Sequence, residues 1–390
     1  MAPAKPKTIV YICDWLPPDY GAVGQYSDLF ARQIAAEGHK VVLGGLTTGE
    51  ASETREAIGA GSLMTIKLKA RAYEKSRFVQ RLLWTAQTNT RLITALWRHM
   101  RSADEVLFTG SPPLMLHWIA PANILLRKTL VYRITDFHPE CLIAATRPSA
   151  ALNLLYKLTL FWRRRVHRFE VLGEDQRARL ADIGIARERV VLKRDPSPVE
   201  ITPDTMPLAR PAGSDGKLLL LYSGNWGVAH DVDTFVAAYR KHHREGSGRF
   251  VLWLNAVGAK AGAVEAALKT DGLPLIRSSP VSLDDLASLL VTPDAHLITL
   301  LDPFVGFVLP SKVYGCVASG RPVLYVGSEK SDVHLLCARD LEPGDYQRAD
   351  AGDTEACFTA IERLAAQVDR ARHSGNSDIA PQRRLVGDGN

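Results

Sequence analysis

The sequence is poor in the residues that build disulfide frameworks, zinc sites and membrane spans. Its five cysteines are an odd number, are widely spaced and include no Cys-x-x-Cys pair. This usage is typical of reduced thiols in the cytosol and argues against a zinc site. No apolar run is long enough to span a bilayer, and the first residues lack the apolar segment of a secretion signal. We therefore expect a cytoplasmic protein, peripheral on the inner face of the membrane.

Aromatic residues spaced for base stacking are also missing, although the charge alone would suggest a nucleic acid as partner. Residues 1–200 hold 29 lysines and arginines against 19 acids, whereas the remainder holds 19 against 23. A basic first half indicates an anionic partner, either a nucleic acid or a membrane surface. The basic excess is confined to amphipathic segments, so we expect no nucleic-acid binding.

Two segments, 71–101 and 152–168, combine basic with apolar residues. The first has seven lysines and arginines against one acid, Glu74. Its apolar residues recur at helical spacing: Phe78, Leu82, Leu92, Ile93, Leu96, Trp97 and Met100. A basic amphipathic helix with tryptophans favours contact with an anionic membrane surface. A helix packed on the core with a solvated basic face explains the same pattern.

The length of the chain and its alternation of strands and helices predict two α/β domains. Residues 7–43 read as strand, glycine loop, helix and strand, which is how a doubly wound parallel sheet begins. A linker rich in proline and glycine covers residues 194–216, and a second alternation follows it. We predict an N-terminal Rossmann-like domain over 1–195, a C-terminal one over 196–372 and a polar tail over 373–390.

Two groups of residues in the first domain are candidates for binding or catalysis. Gly21 and Gly24 follow the first strand and would let a phosphate approach the backbone, although a plain tight turn is an equal alternative. Asp136, His138 and Glu140 follow a later strand, and the carboxyl ends of strands are where open α/β sheets place reactive groups. The alternative is that these polar residues only cap the next helix.

The segment 308–327 reads as a loop, a short helix and a strand. Pro310 ends what precedes it, Ser311 is a natural N-cap, and Lys312 begins the helix. A helix N-terminus with a lysine beside it is a site for an anion. An ordinary loop–helix–strand unit is the alternative.

Taken in order, the motifs resemble the GT-B glycosyltransferases, and among them the family-4 retaining enzymes that build bacterial exopolysaccharide or O-antigen. The stretches that carry the resemblance are Pro17–Gly24, Asp136–Glu140, Val171–Val191, Tyr222–Asp231 and Pro310–Val323. The resemblance implies two doubly wound Rossmann-like domains facing a central cleft, and a UDP-linked sugar as co-substrate. It implies donor binding by Gly21, Gly24, Ser223, Gly224, Asn225, Lys260, Pro310, Ser311, Lys312, Val313 and Tyr314. It implies catalytic roles for His138, Asp136 and Glu140, of which we favour His138.

One feature departs from the family pattern. Many relatives have a Glu-x7-Glu motif whose second glutamate binds the ribose, and here Phe307 and Gly315 stand at those places. Some relatives carry the same variant, so activity is compatible with it. The departure leaves the ribose contact and the nucleotide unassigned.

The expected reaction is sugar transfer, without a metal or other cofactor, to a glycan or lipid-linked acceptor. A departing diphosphate develops negative charge that Lys312 and the amide N–H groups of 223–225 are placed to stabilise. Two other readings use the same fold. One is a nucleotide-sugar 2-epimerase, and the other is an inactive, membrane-associated partner subunit.

Overall fold

The computed structural model describes residues 5–19, 22–71, 78–147, 149–258 and 260–373. Gly21, one of the predicted donor-binding residues, and the predicted polar tail beyond His373 lie outside these ranges. The chain divides into two units at the peptide bond between Arg194 and Asp195. Each unit is built around one twisted sheet, and each is described by itself below.

The sheet of the first unit is parallel apart from one edge strand. Its strands are β1 (Thr8–Trp15), β2 (Lys40–Thr47), β3 (Ser52–Ile58), β4 (Gly61–Lys69), β5 (Glu105–Thr109), β6 (Thr129–Ile134), β7 (Arg168–Val171) and β8 (Val190–Leu192). They lie in the order β3-β4-β2-β1-β5-β6-β7-β8, and only the β3–β4 pair is antiparallel. The helices are α1 (Ala22–Ala36), α2 (Phe78–Ser102), α3 (Leu116–Leu126), α4 (Glu140–Ala145), α5 (Ala150–Arg163) and α6 (Glu174–Asp182). Strand order reverses between β1 and β5, which is where such sheets bind ligands.

The second unit has a fully parallel sheet. Its strands are β9 (Leu218–Asn225), β10 (Phe250–Val257), β11 (Leu275–Arg277), β12 (Ala295–Thr299), β13 (Val323–Val326) and β14 (Tyr346–Ala349). Their order is β11-β10-β9-β12-β13-β14, so the reversal falls between β9 and β12. The helices are α7 (Asp233–Arg244), α8 (Ala261–Thr270), α9 (Leu283–Val291), α10 (Lys312–Ala318), α11 (Asp332–Asp340) and α12 (Thr354–His373).

The central strands of both sheets are buried along their length because helices cover the sheet. Leu218 to Tyr222 of β9 are essentially inaccessible, as expected of a parallel strand that is covered on both faces. In the first unit, Tyr11 and Cys13 of β1 pack with Phe30 of α1 in one core cluster. Continuous apolar runs in the sequence therefore become the strands whose carboxyl ends position the candidate site.

Helix α2 packs its apolar side on the sheet. Leu92, Leu96 and Met100 are fully buried, and Leu96 fills the space beside Gly44 of β2. Arg91 and Arg98 are exposed. The second half of α2 therefore does not insert into a membrane as predicted, because its apolar residues Leu92, Leu96 and Met100 belong to the core. Among the described residues, no helix is apolar over a long enough stretch to cross a bilayer.

Candidate functional site

The last residues of β9 and the start of α10 lie together at the carboxyl end of the second sheet; the strand extends to Asn225, so Ser223–Asn225 end the strand instead of forming the predicted loop. Gly224 has φ +104°, a backbone conformation that only glycine adopts without strain. A Cβ placed on Gly224 would lie 4.0 Å from Cε of Lys312. Ser223, also at the end of β9, is held by its hydroxyl, which donates to Oδ1 of Asn255 at 3.2 Å. The structure thus brings Ser223, Gly224 and Lys312 to one place, beside the point where strand order reverses.

Lys312 points its ammonium into this place without a hydrogen-bond acceptor. Its Nζ is shielded from solvent, and within the described part of the chain no acceptor reaches it. The Nζ lies 3.2 Å from the centroid of the Tyr222 ring, a cation–π contact. Burial lowers the pKa of Lys312 from 10.5 to about 7. Burying an amine whose N–H groups make no hydrogen bonds costs folding free energy, and an anionic ligand would accept those hydrogen bonds.

Contacts of His230 and of Lys260 fix the loop around His230. Nδ1 of His230 donates to the carbonyl oxygen of Thr299 at 2.5 Å, and the imidazole packs edge-on against Tyr222. Burial, together with the nearby charge of Lys312, lowers the pKa of His230 to about 3, so the ring is neutral. Lys260 donates to the carbonyl oxygens of Val228 at 3.2 Å and His230 at 2.6 Å. Its ammonium therefore holds the loop in place.

Ser311 does not cap α10, which corrects the sequence interpretation. Its backbone is helical, with φ −57° and ψ −21°, and its side chain makes no capping hydrogen bond. An N-cap hydroxyl needs an extended backbone to reach the free N–H groups, so a helical Ser311 is excluded from that task. The first turn is closed instead by the N–H of Val313, which donates to the carbonyl oxygen of Pro310 at 3.0 Å.

The rest of α10 faces the protein interior. Val313 and Tyr314 are buried, so their side chains anchor the helix. A Cβ on Gly315 would lie 2.9 Å from Cδ1 of Leu290, on the neighbouring helix α9. A glutamate at position 315 would have to displace Leu290. The glycine at this place in the family pattern therefore has a packing reason, and the ribose contact stays unassigned.

In the first unit, two carboxylates lie at the carboxyl ends of β1 and β6. Asp14 is the second-last residue of β1, and its Oδ1 is buried without a hydrogen-bond partner among the described residues. Burial raises the pKa of Asp14 to about 6, with a contribution from the charge of Asp136, while a hydrogen bond from Ser111 opposes the rise. Burial likewise raises the pKa of Asp136, and the charge of His138 opposes it. Asp14 and Ser111 were not singled out in the sequence, because each looks like an ordinary residue at the end of a strand.

Glu140 has a different role from its predicted catalytic neighbours. Its carboxylate forms a buried two-pronged ion pair with Arg163, whose Nη2 also donates to the carbonyl oxygen of His138 at 3.1 Å. Arg163 is completely buried and lies over the Phe137 ring at 4.9 Å. The pair fixes the Asp136–Glu140 loop to α5, and its carboxylate is not free to touch a substrate. Arg163 thus positions the Asp136–Glu140 loop, and sequence reasoning missed it because it stands inside a basic run.

We expect Glu140→Ala to destabilise the first unit by about 3–5 kcal/mol, because removing one partner leaves a buried charge unpaired. Urea unfolding followed by tryptophan fluorescence would measure it. Replacing both partners, as Glu140→Leu with Arg163→Met, should recover most of the loss. The control is Glu50→Ala, which breaks the exposed pair with Lys69 and should cost at most about 1 kcal/mol. Equal losses in Glu140→Ala and Glu50→Ala would contradict a structural role for the buried pair.

Gly24 has a packing reason to be glycine, and its role in donor binding stays a prediction. A Cβ at this position would clash with the carbonyl group of Trp15, because the first turn of α1 is in direct contact with the end of β1. The space beside Gly24 is therefore filled by the strand. Within the described ranges, no group of three or more His, Cys, Asp or Glu side chains is arranged to hold a metal ion.

The fold and the site can now be set beside known proteins. No family model matches the chain, and no curated protein matches it significantly by sequence. Its folding pattern is that of the GT-B glycosyltransferases, with two Rossmann-like domains. Sucrose-phosphate synthase from Thermosynechococcus elongatus superposes with a TM-score of 0.67 over 96% of this chain and 93% of that chain, at 14% identity. At such identity, the likeness establishes the fold.

Two further structures extend the comparison. HepE of Anabaena, in complex with UDP and glucose, gives a TM-score of 0.59 over 96% of this chain and 92% of that chain, at 11% identity. The lipopolysaccharide outer core galactosyltransferase WaaB gives 0.55 over 92% and 90%, at 12% identity.

Proposed function

We propose that this protein is a retaining glycosyltransferase that moves a sugar from a UDP-linked donor to a glycan or lipid-linked acceptor in bacterial surface polysaccharide synthesis. The observation that carries the proposal is the buried ammonium of Lys312, which has no hydrogen-bond acceptor among the described residues and lies beside Gly224 at the end of β9. The UDP bound to HepE supports the choice of nucleotide, and the lipopolysaccharide galactosyltransferase WaaB supports the class of acceptor.

The donor's diphosphate would lie against Lys312 and the N–H groups of Ser223, Gly224 and Asn225. As the glycosidic bond breaks, negative charge grows on the leaving diphosphate, and fixed positive groups in a shielded site stabilise it. Lys260 supports the loop and adds its charge nearby. Pro310, Ser311, Val313 and Tyr314 contribute through their main chain and through the position they give Lys312. This arrangement needs no divalent ion.

The acceptor hydroxyl would be held in the first unit by Asp14 and Asp136, with Ser111 and His138 beside them. An ionised carboxylate accepts the hydrogen bond of a sugar hydroxyl and orients its oxygen for attack. His138, when neutral, both donates and accepts near pH 7. If the acceptor carries a lipid, we expect segment 152–168 and the exposed Leu82 and Leu83 of segment 71–101 to meet the membrane, because the apolar side of the second half of 71–101 is packed in the core.

Calorimetry with UDP, ADP and GDP, followed by incubation with UDP-sugars, tests the proposal. We expect UDP to bind and UDP to be released from a UDP-sugar only when an acceptor is present. Proton NMR of the new linkage should report the anomeric configuration of the donor. An epimerase would instead convert the sugar nucleotide without an acceptor, and a protein that binds none of the three nucleotides would refute a donor site.

A further inference from the structure

An open pocket of about 320 Å³ lies in the first unit between the ends of α3 and α5. Arg127, Arg165 and His167 line it on the polar side, and Ile124 lines it on the apolar side. All four residues are exposed. It is formed by residues next to the start of β6 and β7, at the opposite ends of these strands from Asp136. The pocket is therefore separate from the candidate catalytic groups.

The side chains of His167 and Arg165 are held in position by contacts, and Arg127 is fixed through its main chain. Nδ1 of His167 accepts the backbone N–H of Leu130 at 3.0 Å, which leaves the proton of a neutral ring on Nε2. Arg165 lies over the Phe161 ring at 3.6 Å and donates one N–H to that residue's carbonyl oxygen at 2.9 Å. Arg127 sits at the left-handed end of α3, with φ 53°, where its N–H closes the helix on Asn123. Two guanidinium groups and an imidazole are thus available to one anion.

The pocket continues into an exposed apolar surface. Leu125 of α3 is 77% exposed and Ile124 is 59% exposed, which is unusual for large apolar side chains beside a folded core. On α5, Leu154, Leu158 and Phe161 are exposed at helical spacing and lead directly to Arg165. The cations therefore lie on the same two helices as exposed leucine, isoleucine and phenylalanine side chains.

The helices that form this surface contain no acidic residue. Helix α3 packs between α2 and α5: the Trp118 indole donates to Thr90 at 3.0 Å, and His117 lies 3.0 Å from the Thr159 hydroxyl. Neither α2, α3 nor α5 contains an aspartate or glutamate, and the sequence has none between Glu105 and Asp136 or between Glu140 and Glu170. A layer of helices with only positive charges and with exposed apolar residues is complementary to a surface that is both anionic and hydrophobic.

We propose that this pocket binds the phosphate of an anionic phospholipid headgroup while Ile124, Leu125 and the α5 stripe enter the acyl boundary. Arginine pairs with phosphate oxygens through paired N–H groups, and the apolar stripe is stabilised only when lipid covers it. The site serves the lipid-linked acceptor of the proposed function, but it is a binding site and is measured without sugar transfer. It places the membrane contact mainly on α3 and α5 and away from the buried stripe of α2.

Co-sedimentation with vesicles tests the proposal, using neutral phosphatidylcholine alone and with phosphatidylglycerol added. We expect the full chain to bind the anionic vesicles and to bind the neutral ones weakly. The double variant Arg127→Gln with Arg165→Gln should lower partitioning to anionic vesicles roughly 30-fold, the factor for two cations lost near such a surface. The matched control is Arg55→Gln with Arg244→Gln, which removes two exposed arginines on β3 and α7. It should retain binding within a factor of about three.

A second variant separates lipid from free phosphate. Leu125→Ser with Leu154→Ser keeps every charge and should still lose most vesicle binding, because its apolar anchors are gone. Inorganic phosphate, compared with chloride at equal ionic strength, should lower vesicle binding of the wild type but not that of the variant Arg127→Gln with Arg165→Gln. Equal binding to both vesicle types, equal losses in the control pair, or full vesicle binding by the variant Leu125→Ser with Leu154→Ser would overturn the proposal. Calorimetric UDP affinity should be unchanged in all these variants, so a failed donor site is recognised independently.

Discussion

Replacing Lys312 with methionine is expected to stabilise the second unit while weakening UDP binding. Methionine keeps the volume of the side chain but removes an ammonium that is buried without a hydrogen-bond acceptor. Relief of an unsatisfied buried donor is worth about 1–3 kcal/mol. Loss of a charge-assisted contact to the diphosphate costs about 1.5–3 kcal/mol, which is a factor of about 10 to 150 in affinity. Thermal unfolding and calorimetry measure the two effects on the same sample.

The pH dependence gives this prediction a second readout. The folded-state pKa of Lys312 is about 7 against an ordinary 10.5. Below pH 7 the side chain is protonated in both states, and the cost of burying the charge is fully present. Between pH 7 and 10.5 the unfolded chain binds the extra proton, so the stability of the wild-type protein rises with pH. UDP affinity should fall over the same range, because Lys312 must take up a proton again before it can bind the anion.

A matched control for Lys312 is Lys269→Met, at an exposed lysine that pairs with Glu265 on α8. It should change neither the affinity for UDP nor its slope with pH between 7.5 and 9. If Lys312→Met bound UDP as tightly as the wild type, Lys312 would have no place in the donor site. If it lost stability, the ammonium would have a partner in the resting protein.

Replacing Asp14 with asparagine is expected to lower turnover about 100-fold and leave UDP affinity unchanged. Asparagine keeps the shape of the side chain but replaces one carboxylate oxygen with an amide donor, so an acceptor hydroxyl would be misdirected. Because the pKa of Asp14 is about 6, wild-type turnover should fall as pH drops below 6, where the carboxylate becomes protonated. The Asp14→Asn variant should lack this acidic limb.

The experiment compares kcat, KM for the acceptor and their pH profiles. Asp182→Asn, an exposed aspartate on α6, serves as the control and should behave as the wild type. An Asp14→Asn protein with normal kcat and an unchanged acidic limb would remove Asp14 from the acceptor site. Asp136→Asn should resemble Asp14→Asn, because burial raises the pKa of both carboxylates at the same edge of the sheet.

The parallel core of each sheet was predictable because its strands are apolar runs bounded by glycine, proline and polar turns. The β3–β4 hairpin was not, since β3 reads Ser-Glu-Thr-Arg-Glu-Ala-Ile and is exposed along almost all its length. Such a strand carries no apolar alternation and is fixed only by pairing with β4. Short strands such as β11 and β14 are likewise determined by their neighbours in the sheet.

For the candidate site, sequence could identify loops but not the state of each side chain. The proximity of Gly224 and Lys312 depends on the parallel order of β9 and β12, which brings two residues 88 positions apart in the chain (312 − 224) to one edge of the sheet. Whether Glu140 is free or paired is decided by Arg163, which looks in the sequence like part of a solvated basic run. Burial is a property of the folded chain, so the pKa shifts of Asp14 and Lys312 had no local signal.

The ion pair between Glu140 and Arg163 connects α5 to the Asp136–Glu140 loop, so the helix and the loop move as one rigid unit. The same helix presents Leu154 and Phe161 outward and Arg163 inward. Any tilt of α5 must carry the His138 carbonyl with it or separate two charges that no solvent can stabilise. A displacement of the outer side of α5 is therefore transmitted to the carboxyl edge of the sheet, and no moving lid is needed.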